Sequence, residues 1–154
     1  MLGERLSAIG LVFATALLLF AAGCTAGSPS SPGQKIFDTG VGHAGAIPRS
    51  SMGGPYATDT PPCAVCHGRN GQGTGIGPGI GRAILGTRHS ITHKPSPSDP
   101  SPQPVMEGPW TPQQTVEVVR TGVTPEGNHL GGRMPRWQLD SQDASALASY
   151  LGKI

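Results

Sequence analysis

The sequence predicts a mostly α-helical domain in which short helices are joined by long loops rich in glycine and proline. Two segments in the second half of the chain carry apolar residues at helical spacing, and no segment shows a convincing alternating pattern of a strand. The 154 residues include 24 glycines and 16 prolines, while aromatic residues make up only 5%. Such a chain buries little apolar surface to offset the entropy of ordering its flexible residues. We therefore expect a single domain whose core is completed by a non-protein group.

The amino terminus predicts an export signal and an anchor. Residues 6–22 are apolar except for a serine and a threonine, and small residues lead into Cys24. This pattern resembles a bacterial lipoprotein signal, so residues 1–23 are interpreted as a signal peptide and Cys24 as the lipid-carrying first residue of the mature chain. The alternative is an uncleaved membrane helix with an inert Cys24, because the apolar run is close to the length of a spanning helix. In both cases the remaining chain lies outside the cytoplasm at a membrane.

A tether and a short helix follow this signal. After Cys24, the stretch "TAGSPSSPG" contains no apolar residue larger than alanine apart from proline, which predicts a flexible tether over residues 24–32 and leaves residues 33–154 as the domain. The segment "PGQKIFDTG" begins with proline and ends at Gly40, which favours a short helix with Ile36 and Phe37 buried.

Two further helices are predicted near the carboxyl end. Thr111 is a suitable N-cap for a helix over residues 112–121, which begins with proline and ends before Gly122. Asp140 is a suitable N-cap for the last helix, and Leu139 and Ala144 are placed to form a hydrophobic staple. That helix ends at Gly152, and its apolar face consists of Ala144, Leu147, Ala148 and Leu151.

The segments between these helices are predicted to have irregular structure. Residues 41–62 and 86–109 are predicted to be long loops, and the prolines of "KPSPSDPSPQP" exclude a continuous helix or a central strand. The glycine-rich stretch "GQGTGIGPGIG" lacks the lysine and hydroxyl residue of a phosphate-binding loop, so nucleotide binding is rejected. A net charge of +2 also excludes the basic surface that nucleic-acid binding needs.

The stretch "PPCAVCHGRNGQG" contains the candidate cofactor-binding residues. Cys63 and Cys66 stand three residues apart and His67 follows at once, which is the attachment pattern of a c-type haem: the thiols bond covalently to the porphyrin and the imidazole ligates iron. A redox dithiol and half of a zinc site are the alternatives. The first requires a βαβ context and the second two further ligands at matching spacing, and neither pattern is visible.

With this motif in place, the chain from Gly33 to Ile154 resembles a small class I cytochrome c with a single haem. Gly33 and Phe37 are similar to the family's first helix, and Leu147 and Tyr150 to the residues of the last helix that contact it. Gly77 and Pro78 are similar to the family loop whose proline carbonyl accepts a hydrogen bond from the ligating histidine. The resemblance therefore implies that Pro78 orients His67. The two long insertions, 41–62 and 86–109, exceed what the smallest members of the family contain.

The resemblance also implies a second iron ligand. The segment "GGRMPRW" is similar to the family loop in which a methionine before proline binds the distal face of the haem, so Met134 is the expected ligand. A core-filling methionine is the alternative for Met134, while Met52 and Met106 are more easily assigned to loops. Rival ligands are His43, His89, His93 and His129. Candidate donors to a haem propionate are Arg133, Arg136 and Trp137, although a solvated surface explains the two arginines nearly as well.

With His67 and Met134 both bound, iron has no site for a substrate, so the expected function is one-electron transfer rather than catalysis. We expect a membrane-tethered carrier, on the outer face of a bacterial membrane, that contacts its donor and acceptor proteins transiently. Two alternatives stay open: a cytochrome subunit of a larger membrane oxidoreductase, and a haem sensor or peroxidase with an open iron site.

Overall fold

The computed structural model describes residues 30–50, 55–81, 85–92, 104–131 and 133–154. The predicted export signal, Cys24, most of the tether, Met52 and His93 lie outside these residues. Within them the chain forms four named helices: α1 (Pro32–Thr39), α2 (Cys63–His67), α3 (Pro112–Thr121) and α4 (Ser141–Leu151).

The boundaries of the longer helices follow from local capping. The Ser31 hydroxyl accepts a hydrogen bond from the Gln34 N–H at the start of α1. Thr111 and Gln114 form a reciprocal capping box at the start of α3, and the Asp140 carboxylate accepts from the Asp143 N–H at the start of α4. The predicted helices at Pro32, over 112–121 and after Asp140 are therefore confirmed, since each depends on a few adjacent residues.

The core is organised by the packing of α1 against α4. A Cβ at Gly33 would overlap the Ala146 carbonyl, so only glycine lets the two helices come this close. One turn later the rings of Phe37 and Tyr150 pack with their centroids 5.4 Å apart. Around this contact lies the main core cluster, whose buried members are Ile36, Phe37, Ile47, Cys63, Val116, Val119, Trp137, Leu139, Leu147, Ala148, Tyr150 and Leu151.

A second, smaller core cluster lies on the other side of α3. It consists of the buried residues Leu85, Trp110 and Val118. Ile80, which comes shortly after the haem-binding motif, packs against both clusters. The segment that follows the motif is therefore held between two apolar regions.

The expectation that residues 41–62 form only a loop is wrong. This insertion contains the short strands β1 (Val41–Gly42), β2 (Gly45–Ala46) and β3 (Arg49–Ser50). The first two pair with each other as a tight hairpin, and β3 pairs antiparallel with β6 (Arg136–Trp137). A strand of two residues is too short to show an alternating pattern, and the partner of β3 is distant in the sequence, so no local signal indicates either pairing.

The insertion at 86–109 also differs from the predicted loop. It contains β4 (His89–Thr92) and β5 (Pro104–Glu107), which pair antiparallel with His89 opposite Glu107. A proline is acceptable here because it is the first residue of a strand in a two-stranded ribbon, where no central ladder is interrupted. The domain is thus helical at its core, with three two-stranded ribbons among the described residues.

Two glutamates fasten the second insertion to the domain. The Glu126 carboxylate accepts hydrogen bonds from the Gly108 N–H at 3.0 Å and from Trp110 Nε1 at 3.1 and 3.2 Å. Glu107, at the end of β5, accepts from Asn128 Nδ2 at 2.8 Å. Desolvation raises the pKa of Glu126, but the hydrogen bonds it accepts outweigh this effect and lower the pKa to about 2.

The described helices include none that is both long and apolar enough to cross a lipid bilayer.

We predict that Gly33→Ala destabilises the domain. The added methyl group overlaps the backbone of α4, and such overpacking costs about 1–3 kcal/mol in free energy of unfolding. Chemical denaturation of the holoprotein measures the change. Gly75→Ala is the matched control, because a Cβ there meets no other atom within 4 Å. Equal stabilities of the two variants would contradict the close helix contact.

We also predict that Glu126→Gln changes the pH dependence of stability. The pKa of Glu126 in the folded chain, about 2, lies below its ordinary value of 4.5. Its carboxylate therefore contributes stability above that ordinary value, and the contribution is lost as the pH falls toward 2. Denaturation at several pH values should show the difference between wild type and variant shrinking over this range. Glu117→Gln, on the exposed face of α3 beside Arg120, is the control, and a difference that does not vary with pH would refute the prediction.

Candidate functional site

The haem-binding motif occupies a single helical turn. Helix α2 begins at Cys63, directly after the extended Pro62, and ends at His67. Cys63 and His67 are buried, Cys66 is half-buried, and neither cysteine forms a disulfide. The turn brings the two thiols and the imidazole close together, because residues three and four apart on a helix are neighbours.

Glycines let the chain fold back over this turn. Gly68, Gly71 and Gly73 all have positive φ values, which side-chain-bearing residues rarely adopt. The returning segment is held by hydrogen bonds from the Gly73 N–H to the His67 carbonyl at 2.8 Å and from the Thr74 hydroxyl to the Cys66 carbonyl at 2.5 Å. These contacts carry the following residues, Gly77 and Pro78, to the side of α2.

His67 is oriented by this returning segment. Its Nδ1 lies 2.7 Å from the Pro78 carbonyl oxygen, which can only accept, so Nδ1 carries the proton. The Nε2 lone pair is then free to bind a metal. Burial lowers the pKa of His67, and the bond to Pro78 opposes this shift in part. The lowered pKa favours the neutral imidazole, the form that ligates iron.

The environment of Cys63 argues against a redox dithiol. Burial raises the pKa of this thiol to about 12, and the nearby Arg49 only partly offsets the effect. Reactive Cys-x-x-Cys pairs instead depend on a lowered thiol pKa. The motif also lacks the converging ligands of a zinc site. Among the described residues, histidine, cysteine and carboxylate donors converge in one group, which consists of His43, Asp140 and Asp143.

Met134 lies on the main core cluster. It is partly buried and packs against the cluster that contains Cys63. The chain is anchored directly after it, because Trp137 is buried in the same cluster and lies in β6, which pairs with β3. Met134, the expected second ligand, and Cys63 therefore border the same apolar cluster. The two thiols and the imidazole of the motif suit a c-type haem.

The described rival ligands have other surroundings. The His43 imidazole lies beside Asp140 and Asp143, and the His89 ring packs edge-on against Trp110 with centroids 4.5 Å apart. His129 is exposed.

The three candidate propionate donors lie in different surroundings. Arg133 is exposed, and Trp137 is buried in the main core. Arg136 lies against the end of α3, where a Cβ at Gly122 would overlap its guanidinium group.

Arg49 is a buried cationic residue that the sequence analysis did not single out. This arginine is 3% exposed, and its guanidinium carbon lies 4.7 Å from the ring centroid of Trp137. Its Nη2 donates to the Thr58 carbonyl at 2.6 Å. Burial lowers its pKa, while Cys63 and Asp59 raise it. No sequence signal indicates this position, because the contact depends on the pairing of β3 with β6.

A family model described as Cytochrome c matches residues 30–154. The matched region includes the motif at 63–67, Pro78 and Met134. No curated protein and no solved structure matches the chain.

Proposed function

Because the chain belongs to the cytochrome c family, which binds covalent haem c and transfers electrons, we propose that it is a membrane-tethered one-electron carrier with His67 and Met134 as axial ligands. The observation that carries this proposal is the single turn of α2, in which both thiols stand beside an imidazole whose Nδ1 is held by Pro78. That arrangement serves covalent attachment and iron ligation together.

Three residues of the turn would hold the cofactor. Cys63 and Cys66 would form the two thioether bonds, and His67 would offer Nε2 to iron while the Pro78 carbonyl fixes the orientation of the ring. When bound, haem c supplies reversible one-electron exchange at its iron. The covalent attachment also adds apolar surface to a core that contains few aromatic side chains.

Met134 is proposed as the second ligand because of its position in the chain and in the core. It precedes Pro135, packs against the cluster that includes Cys63, and lies three residues before the buried Trp137. A thioether paired with histidine raises the reduction potential of a haem. It also leaves no iron site for a substrate, which favours electron transfer over a sensor or peroxidase function.

Tethering is proposed from the amino terminus. The apolar run that ends at Cys24 is followed by a short stretch without large apolar side chains, which suits a lipid anchor and a flexible spacer. Export would place the domain on the outer face of a bacterial membrane. An uncleaved helix would give the same location with a different anchor.

A second candidate function is a permanent subunit of a membrane oxidoreductase. The ribbon of β4 and β5 favours it, because Val105 is 41% exposed and Met106 is 50% exposed on β5. Because consecutive strand residues point to opposite faces, each face of the ribbon presents one exposed apolar side chain that a partner could cover. A carrier would instead meet its donor and acceptor through small, transient contacts.

We predict that Met134→Ala removes the low-spin signature of the ferric holoprotein. Loss of the thioether should lower the reduction potential by on the order of 100 mV, within the range of about 0.8 V that axial ligands span. Absorption and electron paramagnetic resonance spectra, together with a redox titration, measure these changes. Met106→Ala is the matched control, because this methionine is half-exposed on β5.

Two outcomes would oppose that assignment. Retention of the parent spectrum and potential in Met134→Ala would mean that another residue is the ligand. Carbon monoxide binding to the reduced wild-type protein under native conditions would favour an open iron site.

We predict that the mature chain begins at Cys24 and carries lipid on this residue, because a lipoprotein signal is removed once its cysteine is lipidated. Mass spectrometry of the protein extracted from membranes measures its first residue and its mass. A chain that retains residues 1–23 with an unmodified Cys24 would favour an uncleaved helix.

Detergent extraction of the wild type tests the second function, since a carrier should elute alone and a subunit should elute with its partner.

A further inference from the structure

A cluster of three side chains lies apart from the haem-binding motif in the sequence. His43 occupies the turn between β1 and β2, Asp140 is the N-cap of α4, and Asp143 lies in the first turn of that helix. One donor atom from each residue lies within 4.8 Å of the other two. The fold therefore joins the first insertion to the carboxy-terminal helix at a set of potential metal ligands.

The backbone holds these side chains in place. The His43 N–H donates to Asp143 Oδ1 at 3.0 Å, and the Asp143 N–H donates to Asp140 Oδ1 at 2.9 Å. A Cβ at Gly42 would overlap the Asp143 carboxylate, so glycine at this position lets the turn approach the helix. The arrangement is built by main-chain contacts and does not depend on flexible side chains alone.

The distances within the cluster suit shared coordination. His43 Nδ1 lies 3.3 Å from Asp143 Oδ1 and 3.4 Å from Asp140 Oδ2. Charge-assisted hydrogen bonds between a nitrogen cation and a carboxylate are usually shorter, at about 2.7–2.9 Å. Ligand atoms bound to tetrahedral zinc at about 2.0–2.2 Å are separated by roughly 3.3–3.5 Å. The two nitrogen–oxygen distances agree with the second arrangement, and the two carboxylate oxygens lie within 4.8 Å of each other.

The cluster contains more acidic than basic groups. Asp143 is 6% exposed, and its carboxylate accepts a hydrogen bond from the His43 N–H and lies beside the His43 imidazole. The two carboxylates carry two negative charges, while an imidazole contributes at most one positive charge. The ion pairs within the described ranges place no lysine or arginine within 4.0 Å of either aspartate. A divalent ion would balance this charge.

We propose that His43, Asp140 and Asp143 form a zinc-binding site. An imidazole together with two carboxylates is a ligand set that Zn²⁺ accepts. The His43 side chain is 40% exposed and that of Asp140 is 52% exposed, which leaves room for water at the remaining coordination position. The bound ion would cross-link the β1–β2 turn to the start of α4, a structural role separate from electron transfer.

Calorimetric titration of the untagged holoprotein with ZnCl₂, after removal of bound metal by a chelator, tests this site. We expect one zinc ion per chain, and an affinity in His43→Gln at least about tenfold lower because one of three ligands is lost. His129→Gln is the matched control, because this histidine is exposed and lies outside the cluster. Absence of zinc uptake by the wild type, or equal affinities in wild type and His43→Gln, would overturn the proposal.

Asp140→Asn provides a second variant that preserves the fold. Asparagine is as good an N-cap as aspartate, so α4 keeps its first turn while the cluster loses one carboxylate. We expect this variant to bind zinc more weakly with an unchanged haem spectrum. Unchanged zinc affinity in Asp140→Asn would remove Asp140 from the site and contradict the three-ligand assignment.

Discussion

The close packing of α1 against α4 is the constraint on which the rest of the domain depends. Gly33 lets the helices approach, and Phe37 packs against Tyr150 one turn later. The Tyr150 hydroxyl also donates to the Arg69 carbonyl, just after the motif, at 3.1 Å. The same helix contact that organises the core therefore fixes the chain that carries the thiols and the imidazole.

The motif also depends on glycines, because a side chain at these positions would prevent the backbone from folding back over the turn. Gly68 and Gly73 adopt positive φ values, and the Gly77 backbone passes so close to Cys66 that a Cβ would lie 2.9 Å from its carbonyl oxygen. This tight return is what brings the Pro78 carbonyl to His67. The many glycines, which weaken the chain as a source of apolar surface, are thus required to build its functional turn.

The two insertions add contacts that a smaller domain of this kind would lack. The first places Arg49 over Trp137 and His43 beside the start of α4. The second forms a ribbon that is fastened by Glu107 and Glu126 and carries Val105 and Met106 at its surface. In the proposed carrier, the insertions would contribute to stability and to contact with a partner. They would not alter the haem-binding turn.

The sequence by itself determined the features that reside in a few adjacent residues. The attachment motif at Cys63, the cap at Thr111 and the cap at Asp140 are all local patterns, because covalent spacing and the first helical turn involve no distant contact. Only the tertiary structure decided the pairing of β3 with β6 and the joining of His43 to α4. These contacts link segments far apart in the chain, where short strands and isolated polar side chains leave no periodic signal.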